Sequence, residues 1–246
     1  AQESRGLGDV YKRQGIYFFF DKDGIVDKYV DYVLEDLTKH VDKLIVVCNG
    51  QLNERGRKTF EKFTGNIIVR ENKGFDVWAY KTAIDSEGWN KLIEYDEIIL
   101  MNYTIMGPVY PLKEMFDIMD KRLELDFWGI TKCFQENSPV AQQIWQCPYG
   151  YIPEHIQSSF MAFRRSIVSS TIFQKYWDEM PMIKSYYESG GSHEQYITKY
   201  FSDNGYRWDC YTNYDDMDEE IYTCCPLIVA PLEVCLLYTS PSPRDS

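Results

Sequence analysis

Short apolar runs alternate with stretches of helical spacing through the first half of the chain. Residues 15–20 (GIYFFF) are continuous and apolar, as expected of a strand buried on both faces. Ile25, Val26, Tyr29, Val30, Val33, Leu34 and Leu37 follow at helical spacing, with Asp and Lys between them, which predicts an amphipathic helix. Residues 43–50 (KLIVVCNG), 66–72 (NIIVREN), 97–102 (EIILMN) and 127–131 are predicted strands. Helices are predicted over 53–63, stopped by Gly65, and over 76–84 and 112–122,.

Strand and helix alternating through short turns predict an α/β fold, with a mostly parallel central sheet flanked by helices. Ligands of such sheets bind at the carboxyl ends of the strands. The loops of interest are therefore 21–24, 49–52, 71–76 and 102–107, all polar or Gly-containing directly after apolar strands. The second half is less regular. Residues 134–155, rich in Pro, Gln and aromatics, read as a long loop, 158–164 as a strand, 166–177 and 193–201 as helices, and 207–211 as a last strand. DDMDEE (215–220) reads as a solvated acidic loop.

Both ends call for separate treatment. Read as codons, SRGLGDVYKRQ (4–14) spells a transposase sequencing adapter, and CLLYTSPSPRD (235–245) spells its reverse complement in a shifted frame. Residues 1–14 and 235–246 are therefore expected to be adapter-derived ends of a metagenomic fragment. Residues 15–234 remain, enough for one domain with a sizeable core. Removing four Lys/Arg and three Asp/Glu of the flanks from totals of 26 and 38 leaves a net charge of −13. So acidic a chain makes nucleic acid an unexpected partner, because phosphate neutralisation needs clustered Lys and Arg. Cys48, Cys133, Cys147, Cys210, Cys224 and Cys225 form no CxxC pair and read as free thiols of a reducing, cytoplasmic compartment,. No apolar run reaches the length of a membrane span,.

Candidate chemistry centres on ENKGFDVWAYK (71–81), which follows a strand and opens a helix. Asn72 and Lys73 sit at its tip, Gly74 permits a tight turn, and the N–H groups of the next helix can meet an anion. The plainer reading is that Gly74 only turns the chain and Asp76 only caps a helix. No P-loop or GxGxxG fingerprint is present, which disfavours a kinase or an ordinary dehydrogenase,. In SHEQYITKYF (192–201), Ser192 and Gln195 fit a capping box with Glu194 in the first helical turn,. Glu194 suits a general base, against the plainer role of complementing a helix dipole. A zinc-protease reading fails because position 197 is Ile,. His155 and Gln157 suit hydrogen bonds to sugar hydroxyls. Trp128, Trp145, Tyr149 and Tyr151 suit stacking on sugar rings, although most aromatics simply pack.

YFFFDKDGIVDKYV, IVVCNG, IIVRENKGFDVWAYK, DEIILMN, DFWGITK, GYIPEHIQSSFMAFRR and HEQYITKYF occur in that order. Together they resemble the rhamnan-synthesis F family of polysaccharide-building proteins across residues 15–234. The resemblance implies a Rossmann-like, single-domain, GT-A-like glycosyltransferase, with a nucleotide-sugar half (15–131) and an acceptor-side half (132–234). It implies a nucleoside-diphosphate-sugar donor, often of rhamnose. The implied acceptor is a growing cell-surface glycan, free or lipid-linked, at the inner face of the cell membrane. On this resemblance Asn49, Asn72, Lys73, Gly74, Asp76 and Asn102 lie along the donor. Glu194 is the base of an inverting transfer, and His155, Gln157 and His193 lie on the acceptor side. One departure stands out. The family leads one to expect a carboxylate after LMN, to hold Mg2+ or Mn2+ on the diphosphate, and this chain has Tyr103,. The metal ligands thus stay unassigned, and a non-catalytic sugar-binding or scaffold module is the alternative reading.

Overall fold

The structure, a computed structural model, describes residues 11–212 and the backbone of one strand at 237–238. The strands are β1 (Arg13–Phe20), β2 (Lys43–Asn49), β3 (Ile67–Arg70), β4 (Glu97–Asn102), β5 (Ile105–Met106), β6 (Phe127–Gly129), β7 (Lys132–Cys133), β8 (His155–Ile156), β9 (Phe160–Arg164), β10 (Trp208–Cys210) and β11 (Leu237–Tyr238). The helices are α1 (Lys28–Leu37), α2 (Glu54–Phe60), α3 (Phe75–Glu87), α4 (Trp89–Leu92), α5 (Leu112–Met119), α6 (Pro139–Trp145), α7 (Arg165–Val168), α8 (Thr171–Asp178), α9 (Tyr186–Ser189) and α10 (Gln195–Asp203). A π-helical turn at Gly190–Glu194 joins α9 to α10.

Seven strands form one sheet in the order β10-β6-β9-β4-β1-β2-β3. The pairs β3–β2, β2–β1, β1–β4 and β6–β10 are parallel. β9 lies antiparallel between β4 and β6. The sheet is thus mostly parallel, as expected, and it draws strands from both sides of the 131/132 boundary. β5 pairs with β11, and β7 with β8, in two small antiparallel ladders.

The core has two layers, one on each face of the sheet. Ile16, Phe18, Ile45, Val47, Ile98 and Leu100 point to the face covered by α3, α8 and α10. Tyr17, Phe19, Val46, Cys48, Ile99 and Met101 point to the face covered by α1 and α5. This is the period-two alternation of strands buried on both sides, which explains why they read as unbroken apolar runs. β1 begins at Arg13, so the last two residues before position 15 are paired in the sheet.

Several boundaries differ from those expected, each for a local reason. Residues 134–155 are not one long loop. They hold α6, with Ser138 accepting from Ala141 N and Pro139 in the first turn, a start signal masked by the Gln-rich composition. The helix expected over 166–177 is broken at Ser170, whose hydroxyl caps α8,. Ser192 is not an N-cap, because the chain is already helical from Tyr186 and Ser192 lies inside the π turn. Among the described residues Cys48, Cys133, Cys147 and Cys210 are free thiols. Cys224, Cys225 and the acidic 215–220 stretch lie outside them. No helix among the described residues is long and apolar enough to cross a membrane.

At the amino end of β4 the Glu97 carboxylate is fully buried. It accepts from Arg13 Nε at 2.8 Å and from Trp128 Nε1 at 2.8 Å, with Arg164 Nε at 3.6 Å. Arg13 also pairs with Asp120. Arg164 donates to the Arg122, Leu125 and Met119 carbonyls. Removing one partner of such a network leaves buried charge uncompensated. Glu97→Ala is expected to lower the unfolding free energy by about 3–5 kcal/mol, measured by urea denaturation; a loss below about 1 kcal/mol would show the network to be dispensable.

Candidate functional site

Residues from four elements meet at the carboxyl ends of β1, β2 and β4. Asp76, in the first turn of α3, is half-buried. Its Oδ2 lies 3.4 Å from Asn102 Nδ2 at the end of β4, and its Oδ1 lies 3.4 Å from Ser189 Oγ at the end of α9. Oδ1 also accepts from Val77 N at 3.0 Å. The Asp76 carboxyl is pushed above the usual carboxylate range, first by burial and next by the Glu194 carboxylate beside it. Glu194 closes the π turn and accepts through Oε2 from Ser158 N at 3.0 Å and from the Ser158 hydroxyl. The Tyr80 hydroxyl is buried without a partner, and its pKa is pushed up first by that burial and then by the nearby charges, the Asp76 and Glu194 carboxylates among them. Asn102 Oδ1 accepts from Thr104 N and Oγ1, at 3.1 and 2.5 Å.

The 71–76 loop is built as a rigid crossing. Gly74 has φ of 75°, and a Cβ there would lie 2.5 Å from the Trp78 side chain. A left-handed conformation and a close approach thus both demand glycine. Phe75 also has positive φ, at 55°, a conformation that an aromatic residue holds only under constraint from its surroundings,. The constraint comes from Asn49, which is fully buried. Its Nδ2 donates to Phe75 O at 3.0 Å and its Oδ1 accepts from Arg70 at 2.7 Å; Arg70 in turn donates to Lys73 O at 2.8 Å. Asn49 therefore shapes the loop from beneath.

The structure brings together Asp76, Asn102 and Glu194 from residues far apart in sequence. Asn72 and Lys73 sit exposed on the loop, and Lys73 pairs with Glu71 at 2.7 Å. His155 is buried, with Nδ1 2.7 Å from Pro153 O. Gln157 binds Thr131, its Oε1 accepting from the Thr131 hydroxyl at 2.6 Å. His193 packs in the core beside Tyr176 and Trp177, and its Nδ1 lies 2.7 Å from the Tyr176 hydroxyl. Trp128 is fully buried and its indole N–H is committed to Glu97, so it offers no face to a sugar. Tyr103 turns its ring onto Phe18 and Phe19 at the end of the sheet. Among the described residues no group of three or more His, Cys, Asp or Glu could hold a metal ion.

Sequence reasoning did not single out Arg70, Tyr80, Ser158 or Ser189. Arg70 carried a weak signal, as a lone cation at a strand end, and Ser158 adjoined the segment already singled out. Tyr80 lay within the 71–81 segment without being distinguished in it, and Ser189 carried no signal, because its contact with Asp76 forms only across the fold.

Residues 44–239 match the family model described as rhamnan synthesis protein F, and the chain belongs to that family. The uncharacterized protein y4gN of Sinorhizobium fredii (strain NBRC 101917 / NGR234) is 23% identical over 150 residues, covering 61% of this chain and 35% of that protein. The chain thus spans about a third of that curated relative. Glucosyl-3-phosphoglycerate synthase from Mycobacterium tuberculosis, solved with Mn2+, uridine-diphosphate-glucose and phosphoglyceric acid, aligns at 12% identity with a TM-score of 0.40. That alignment covers 67% of this chain and 64% of the synthase. The same synthase solved with Mg2+ and uridine-diphosphate aligns over 64% of this chain and 57% of its own, at 12% identity and a TM-score of 0.40.

Burial lowers the His193 pKa from 6.5 to about 3. The unfolded chain takes up a proton as pH falls below 6.5 and the folded chain does not, so stability drops between about pH 6.5 and 3,. Replacing His193 with Gln is expected to flatten the pH dependence of unfolding free energy in that window by about one proton. A slope unchanged from the wild type would place the imidazole in water instead.

Proposed function

We propose that this chain is the core of an inverting, GT-A-like glycosyltransferase that moves a sugar, rhamnose by the family's description, from a nucleoside-diphosphate donor to a growing cell-surface glycan. The observation that carries the reading is the meeting of Asp76, Asn102 and Glu194 at the carboxyl edge of the sheet, in a member of the rhamnan synthesis protein F family. The place of action is the cytoplasmic side, at the inner face of the membrane where lipid-linked glycans grow.

In this reading Glu194 takes the proton of the acceptor hydroxyl as that oxygen attacks the anomeric carbon. The new bond joins the anomeric carbon to the acceptor oxygen, the bond to the diphosphate oxygen breaks, and the nucleoside diphosphate leaves. Ser158 fixes one Glu194 oxygen through two donors, which orients the base. Asp76 and Asn102 hold hydroxyls of the donor sugar. Asn72, Lys73 and the N–H groups opening α3 meet the diphosphate, with Arg70 bracing the loop from behind,. His155, Gln157 and His193 support the acceptor side from within the fold.

The described residues do not fit a divalent metal on the diphosphate. Tyr103 stands where a carboxylate is expected and its ring is packed on the sheet. Among the described residues Asp76 and Glu194 are the carboxylates that act on each other at the site, and no group of three or more His, Cys, Asp or Glu is assembled there. The same Tyr103 favours the second reading, a sugar-binding module without catalysis inside a polysaccharide-assembly protein.

Thermal unfolding of the full chain with deoxythymidine- and uridine-diphosphate sugars separates the two. The expected result is a rise in melting temperature that is the same with and without Mg2+ or Mn2+, since a ligand in excess stabilises by mass action. No rise with any donor, in a folded sample, favours the module.

Asp76 yields a second test. Its raised pKa means that the folded state holds the proton more tightly, so stability falls as pH rises through the carboxylate range,. Asp76→Asn should therefore unfold at a higher temperature than the wild type at neutral pH, with the gap closing in strong acid, while transfer is abolished. A variant that is both active and less stable at neutral pH refutes the role.

A further inference from the structure

Three aromatic side chains stand together outside the two core layers, beside the π turn that carries Glu194. Trp145 ends α6, and Tyr186 and Tyr187 open α9. The Trp145 ring centroid lies 5.7 Å from that of Tyr186 and 5.6 Å from that of Tyr187, and the two tyrosines are 5.9 Å apart. Tyr186 is 61% and Tyr187 54% exposed. α6 buries none of its own residues, so core packing does not account for its place.

The cluster is anchored to the carboxylates. A Cβ at Gly190 would lie 2.4 Å from the Trp145 ring, and one at Gly191 would lie 1.8 Å from the Trp145 carbonyl oxygen. The indole therefore lies directly on the π turn, which only two glycines in succession permit. π turns of this kind recur at functional sites. α9 runs into that turn without a break, Ser189 reaches Asp76, and the turn closes on Glu194.

We propose that Trp145, Tyr186 and Tyr187 form a stacking subsite for a neutral pyranose ring of the glycan acceptor, one or more units away from the ring presented to Glu194. The placement rests on the transferase reading; the chemistry does not. A sugar ring offers C–H groups to the electron-rich aromatic face, and tyrosine adds a hydroxyl for the ring's polar edge. A lipid surface fits less well. α6 (PVAQQIW) carries no Lys or Arg, α9 (YYES) carries Glu188, and the chain bears a net charge of −12, all of which oppose anionic headgroups,.

The test uses the full chain and its Tyr186→Ser/Tyr187→Ser double variant, neither position being in the core. α-Linked rhamno-oligosaccharides of a few units are the probe, with binding followed by saturation-transfer NMR in the absence of donor. The double variant is expected to bind about tenfold more weakly or worse, with its melting temperature and its response to nucleotide sugars unchanged. Equal binding by both proteins overturns the subsite. So does a wild type that ignores the oligosaccharides and instead sediments with phosphatidylglycerol vesicles. If oligosaccharide binding falls in the variant but no nucleotide sugar stabilises the wild type, the subsite stands and the transferase reading falls.

Discussion

The antiparallel register of β9 on β4 sets the geometry of the site. Glu97 faces Arg164 at one end of this pair, and Met101 faces Phe160 near the other. In that register Arg164 stands alongside the buried Glu97 carboxylate, and Trp128, on β6 paired to β9, donates to it. A one-residue slip would turn every side chain of β9 to the opposite face. With the register fixed, Asn102 N bonds Ser159 O at 3.1 Å. Ser158 then falls beside the carboxyl edge of the sheet, where it meets Glu194. A charge network at the amino edge thus decides what meets what at the carboxyl edge.

At that edge the molecule accepts an unfavourable arrangement. Two carboxylates repel each other, one of them desolvated, and a buried tyrosine hydroxyl that feels both has no partner. A structure selected for stability alone would separate such groups or pair them with cations. Strain of the same kind lies close by in Phe75, whose positive φ is held by Asn49 from below. Both are concentrated where the fold presents its loops to ligand, while the rest of the sheet is conventionally packed.

Much of the fold was legible in the sequence because the parallel strands are buried on both faces, and nothing but apolar residues suits them. β4 was read to the residue for this reason. Strand direction was not legible: alternation along residues 158–164 is the same whether β9 runs up or down. The capping-box reading of Ser192 failed because it presumed a helix start, and a π turn continuing from α9 leaves no such signature. Asp76 and Asn102 were legible as polar residues following apolar strands. The meeting of Asp76 with Glu194 was not, since it depends on β9 returning through the sheet. His193 and Trp128 show the reverse limit: their residue types suit a sugar site, but burial commits them to the core.

The placement of β9 bears on how such a domain can be rearranged in evolution. The strand that completes the sheet beside β4 belongs to the later half of the chain, and β6, from the earlier half, reaches the sheet only through it. The two halves are therefore interleaved and do not form separable cassettes. Recombination at their sequence boundary would leave β4 with a bare edge and β6 with no neighbour on that side. The 134–154 segment and α9 lie outside the seven-stranded sheet, so changes there leave its strand order untouched, unlike exchange of a half.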